Sequence, residues 1–181
     1  MNNVKLTIAL VIAVALQWTL RNIAEPFAYV DLPLIIVVYA ALQRDAIKAI
    51  FFGTIAGLAV DALSGGLLGG NGFSKTVVAF IVSEVARRVY LDNLLLRIPV
   101  IAAACLLDDL VYYGLHRLFG QEPAGQVVVT IAYSLIGTTI AGTLVYIMLD
   151  HLFSEKVRSR RSEMFPKRRH TRRRNPIRLG K

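Results

Sequence analysis

The chain has 181 residues, 55% of them hydrophobic, and a formal net charge of +9. A mean hydropathy of +0.55 lies above the soluble range and excludes an ordinary water-soluble domain. The excess positive charge is confined to residues 151–181, where Arg158, Arg160, Arg161, Lys167, Arg168, Arg169, Arg172, Arg173 and Arg174 face only Glu155 and Glu163, so residues 1–150 are close to neutral.

A membrane-crossing helix needs about 20 mostly apolar residues, and six candidates follow in chain order. The first covers 6–21: Lys5 precedes an apolar run, no small-residue cleavage pattern follows, and Trp18 and Arg21 suit an interface. It is read as a retained span. The second covers 27–43, with Pro33 in its first turns, where a missing N–H costs least. The break at Gln43-Arg44-Asp45 is so short that the third span, 46–63, must return beside the second as a tight helical hairpin. Within it, Gly53-x-x-x-Gly57 has the small-residue spacing that lets helix backbones approach closely.

Residues 64–72 contain too many glycines for a stable helix and read as a turn. The fourth span covers 73–91, where Glu84 can reach Arg87 and Arg88 at helical spacing. The fifth covers 98–119, with Pro99 at its start, and the sixth 126–149, with Gly137 and Gly142 on a packing face of small residues. The expected organisation is a six-span membrane domain over 1–150 followed by a largely disordered basic tail over 151–181.

Lys and Arg placement orients the bundle. With a cytoplasmic N-terminus, the inner side receives Lys5, Arg44, Lys48, Arg87, Arg88, Arg97 and the whole tail, whereas the outer side receives Arg21, Lys75 and Arg117. Both termini are therefore expected in the cytoplasm. The tail has the composition of an arginine-rich nucleic-acid binder, but anionic lipids are the nearer partner, at about 1 kcal/mol per juxtamembrane cation. No nucleic-acid partner is expected.

Ionisable groups at membrane depth are costly and face protein or water. In the fifth span, Asp109, Tyr112, Tyr113 and His116 share one face with Cys105, and Asp108 lies at its edge. One reading is a polar patch for protons, an ion or a solute. The other is interhelical hydrogen bonding, with one of the adjacent carboxyls neutral. Asp108, Asp109 and His116 lack metal-ligand spacing, and Cys105 reads as a buried small hydrophobe. No nucleophile elbow, phosphate loop or zinc-protease helix is present, so no catalytic residue, metal or cofactor is expected.

The most specific local feature is the junction of the third and fourth spans: Gly57, then Asp61, Ser64, Gly65, Gly69 and Asn71, then an apolar span. Asp61 lies near the end of a helix, where it and Ser64 can satisfy exposed backbone donors while the glycines turn the chain. With the short paired spans and the chain length, this junction resembles the MreD family of bacterial rod shape-determining membrane proteins, over about residues 5–150. The resemblance implies an all-α six-helix bundle like the solute-binding subunits of energy-coupling-factor transporters. It also implies a scaffold role in the cell-elongation complex of the bacterial inner membrane. The implied partners are MreC and, through it, the MreB filament and the RodA–penicillin-binding-protein synthase of peptidoglycan. It assigns no catalytic residue and does not account for the long basic tail. The competing expectation is a solute-binding subunit of a vitamin-type transporter.

Overall fold

The structure, a computed structural model, describes residues 3–23, 29–65, 68–89, 94–120 and 126–164. Among these residues the chain is helical: α1 (Asn3–Ile23), α2 (Leu32–Ala41), α3 (Ala46–Ser64), α4 (Gly70–Arg88), α5 (Leu94–Leu118) and α6 (Val127–Met164).

The bundle is built around α2. All of its residues from Pro33 to Ala41 are buried, and each of the other five helices packs against it. A helix apolar on every side is stable only when surrounded, and the sequence Leu-Pro-Leu-Ile-Ile-Val-Val-Tyr-Ala-Ala offers no polar face. Its start is fixed by Asp31, whose Oδ1 accepts from Leu34 N at 2.9 Å, with Pro33 in the first turn. A left-handed Arg44 (φ 66°) then reverses the chain, and Asp45 caps α3 by accepting from Lys48 N at 3.2 Å. The Lys48 ammonium beside it holds the Asp45 carboxyl below the usual carboxylate range.

The six helices differ in length and in what surrounds them. Among the described residues four helices, α1, α3, α5 and α6, are long and apolar enough to cross a membrane. The ten residues of α2 rise about 15 Å, half the thickness of a hydrocarbon core. In α4 the polar residues Ser74, Lys75 and Ser83 are buried against neighbouring helices, so its composition reflects protein contact more than lipid contact. By contrast, α1 and α6 turn Ile8, Val11, Ile136, Ile140 and Leu144 outward, the pattern expected of helices facing acyl chains.

Two boundaries also move. The fourth helix starts at Gly70, not 73, and takes Asn71 and Gly72 into its first turn. Helix α6 continues past 149 to Met164, so residues 151–164 are helical instead of disordered. Arg158, Arg160 and Arg161 lie on this extension, which a run of helix-compatible residues carries beyond the apolar span. Lys167, Arg168, Arg169, Arg172, Arg173 and Arg174 fall outside the described residues.

Candidate functional site

The first turn of α4 explains how a glycine-rich segment becomes helical. Its N-cap residue is Gly69, at φ 93°, which has no side chain to satisfy the free N–H groups of the turn. Asp61, one turn before the end of α3 and 1% exposed, supplies the acceptors from the neighbouring helix. Its Oδ2 accepts from Gly69 N at 2.9 Å and Gly72 N at 3.0 Å. Its Oδ1 accepts from Asn71 N at 3.1 Å and Asn71 Nδ2 at 2.8 Å. A buried carboxylate opposite a helix N-terminus is favoured by both hydrogen bonding and the helix dipole. The backbone donors that Asp61 takes up are those of Gly69, Asn71 and Gly72, beyond the end of its own helix. Its side chain serves the start of the next one, and Ser64 lies exposed at the end of α3.

Glycines at 65 and 69 meet a separate requirement. Gly65 ends α3 in the left-handed region (φ 65°) and donates to the carbonyl of Asp61 at 3.3 Å. Asp61 therefore holds the turn at both levels, through its backbone on one side and its side chain on the other.

One turn further along α4, Lys75 is completely buried, at 0% exposure. Its Nζ lies 2.5 Å from Asp31 Oδ2 and 2.8 Å from Asp108 Oδ2, with Asn71 Oδ1 at 3.4 Å. The ion triad ties α4 to the start of α2 and to the middle of α5. Asp31 extends the connection, since its N–H donates to Thr138 Oγ1 of α6 at 3.1 Å. The adjacent Leu32 N donates to Gln17 Oε1 of α1 at 3.0 Å. Five helices meet at this polar node.

The paired carboxylates of α5 diverge. Asp108 turns to Lys75, so an ammonium meets its charge. Asp109 turns the other way, 4.0 Å from Cys105 Sγ, which itself lies 3.5 Å from Ser134 Oγ. Asp108, Asp109, Tyr112 and Tyr113 line one cavity together with Ser64 and Asn71. His116 does not line it; its Nδ1 sits 3.0 Å from the carbonyl of Tyr112, and its ring packs on the Tyr112 ring at 4.2 Å. The polar face expected of the fifth span is therefore divided between an ion triad, a cavity wall and a local aromatic contact.

The packing glycines lie at tight helix crossings. A Cβ at Gly53 would stand 2.7 Å from the Lys75 carbonyl oxygen, and one at Gly57 would overlap the carbonyl of Asn71. Both crossings press α3 against the turns of α4 that carry Asn71 and Lys75. Gly137 faces Val30 and Gly142 faces Ile101, with a Cβ at 3.1 and 2.9 Å from their side chains. At the opposite end of α4, Glu84 pairs with Arg88 at 3.0 Å and Arg87 at 3.6 Å.

Two central residues, Asp31 and Lys75, do not stand out in the sequence. The charge tally places Lys75 in an outer loop because the glycine segment runs almost up to it; the structure moves it into the bundle core. Asp31 is hidden inside an expected span. The available signal is the Asp-x-Pro pattern of a capped helix start, combined with the absence of any local countercharge for a lysine at membrane depth.

The family model described as rod shape-determining protein MreD matches residues 2–155. Comparison with curated proteins and with solved structures gave no match.

Proposed function

The chain belongs to the MreD family and takes part in rod-shape determination, and on that premise we propose that it works as a non-enzymatic membrane scaffold of the cell-elongation complex. In this reading it docks MreC and connects through MreC to the MreB filament and the RodA–penicillin-binding-protein synthase. The observation that carries the reading is the Asp31–Lys75–Asp108 triad, which fixes α2, α4 and α5 relative to one another at the centre of the bundle. Breaking a buried ion pair is strongly unfavourable, so the helices present a constant outer surface, as a docking platform requires. The orientation we propose has both termini cytoplasmic in the inner membrane. Removing Lys75 from the outer-loop tally increases the charge asymmetry that favours it.

Depletion of the protein in a rod-shaped bacterium is expected to give round cells while bulk nutrient uptake stays normal. Rods that persist after complete depletion would overturn the scaffold role. A second reading, a solute-binding subunit of a transporter with the corresponding six-helix architecture, is favoured by the cavity beside Asp109. Copurification in mild detergent separates the two: a periplasmic coiled-coil protein supports the scaffold, and an ATPase supports the transporter.

A further inference from the structure

Helix α2 covers half of a membrane's depth, rising about 15 Å before the chain reverses at Arg44, against about 30 Å for a hydrocarbon core. The residues just before it, Tyr29 to Asp31, do not extend the helix. Non-helical backbone at membrane depth is tolerated only where it packs in protein or lines water. Here it lines a cavity of about 410 Å³. Room for the cavity exists because α1 and α3 make no close backbone approach to α5 or α6 among the described residues.

The cavity leads from the surface of the bundle to its middle. Arg21 and Ser64, both exposed, stand at its mouth, at the ends of α1 and α3. Thr130 and Ser134 of α6 line one wall, and Asp109, Tyr112 and Tyr113 of α5 line another. The floor is one side of the ion triad: 25% of the Asp31 side chain is exposed there, whereas Lys75 behind it is fully buried. Ionisable groups at membrane depth face protein or water, so the exposed part of Asp31 requires water at the floor.

The wall also carries a charge that the fold leaves unmatched. Asp109 is partly exposed and lies about 14 Å along α5 from its end at Leu118. No Lys or Arg comes within 4.0 Å of it among the described residues. Every Lys and Arg between residues 3 and 150 is described, and the others follow position 150, toward the far end of α6. Asp108 is 5% exposed and pairs with Lys75, so the accessible fixed charge is Asp109. Since Asp31 and Asp108 share the single Lys75, the lining is negative even with Arg21 at the mouth. The rings of Tyr112 and Tyr113 further favour a cation over an anion. A metal ion held by several side chains does not fit, because the described residues contain no group of three or more His, Cys, Asp or Glu able to hold one.

We infer that this end of the bundle holds a water-filled vestibule, closed at mid-depth by the triad, which admits small hydrophilic cations to Asp109. The inference stands whether or not the chain acts as a scaffold. Only the side of the membrane on which the mouth opens rests on the orientation proposed above.

The test uses the full chain in membrane vesicles of either orientation, with Cys105→Ser to remove the native thiol. Ser134→Cys is added on the cavity wall, or Ile136→Cys at nearly the same depth on the outward face. Ser134 Oγ lies 3.5 Å from Cys105 Sγ, so the paired change keeps a thiol–hydroxyl contact. Thr130→Cys, one turn nearer the start of α6, serves if the Ser134 variant fails to fold. Impermeant methanethiosulfonates bearing a trimethylammonium or a sulfonate are added, and each rate is normalised to that of a free thiol in water. Position 134 should be labelled and position 136 should not, with the cationic reagent about tenfold faster than the anionic one. Asp109→Asn should abolish that preference. If this variant fails to fold, about 1 M salt should shrink the preference in the Asp109 protein. Labelling from the cytoplasmic face alone would support the vestibule and overturn the orientation instead. The inference fails if position 134 reacts no faster than position 136, if the two reagents react equally, or if the preference survives both Asp109→Asn and high salt.

Discussion

Lys75 on α4 and Asp108 on α5 form an ion pair of 2.8 Å in which neither side chain is more than 6% exposed. An ammonium so deeply buried is tolerated only because Asp31 supplies a second carboxylate. Lys75→Ala would leave two carboxylates uncompensated and is expected to destabilise the bundle by about 3–5 kcal/mol. Replacing the whole triad with Asp31→Asn, Lys75→Met and Asp108→Asn should recover much of that loss, since no unpaired charge remains. Thermal unfolding in detergent measures both. A triple variant no more stable than Lys75→Ala would show that the charges themselves, beyond their mutual compensation, hold the fold.

Asp61 gives a second test, because it acts on a helix to which it does not belong. Asp61→Ala removes acceptors from the N–H groups of Gly69, Asn71 and Gly72 at a buried site. The expected cost is about 2–4 kcal/mol, expressed mainly as fraying of the first turn of α4. Asp61→Asn keeps one acceptor oxygen but places an NH₂ against N–H donors, so it should rescue little. Limited proteolysis across 65–72 reads the local effect. If that segment stays as protected as in the parent chain, Asp61 is not the cap of α4.

These two residues also show how far the sequence can be read. The Asp61–Gly65–Gly69–Asn71 spacing marks the junction, because left-handed glycines and a lone carboxylate leave a local signature. Glu84 with Arg87 and Arg88 is legible for the same reason, being a contact within one helix. The triad is not legible. Asp31, Lys75 and Asp108 are separated by 44 and 33 positions, and only packing of α2, α4 and α5 brings them together. What surrounds α2 and α4 is illegible to hydropathy for a related reason. Apolar content does not tell lipid from protein, and α2 is enclosed by protein while α4 buries its polar residues against neighbours.

Glycine substitutions should separate close packing from helix propensity. Gly57→Ala forces a methyl group into the Asn71 carbonyl, and Gly53→Ala presses on that of Lys75, both rigid backbone atoms. Each is expected to cost about 1–3 kcal/mol, with Gly57 the worse. A methyl group added at Gly114, in α5, would meet nothing within 4 Å, so Gly114→Ala should be neutral or stabilise by up to about 1 kcal/mol. The comparison is made on midpoints of thermal unfolding under one detergent condition. Equal losses at all three positions would mean that the α3–α4 crossing is not limited by backbone contact.

The basic C-terminal segment poses a question of charge against geometry. Helix α6 extends to Met164, well beyond its apolar part, and so carries Arg158, Arg160 and Arg161 away from the span as a continuous helix. If these and the later arginines act by attraction to anionic lipid, each contributes about 1 kcal/mol through charge alone. Changing Arg158, Arg160, Arg161, Arg168, Arg169, Arg172, Arg173 and Arg174 to lysine should then preserve both membrane orientation and rod shape in a complementation assay. Changing the same set to glutamine should impair both. Loss of rod shape with lysines and a correctly oriented protein would instead require a partner that uses the planar, two-pronged hydrogen bonding of guanidinium, which lysine cannot reproduce.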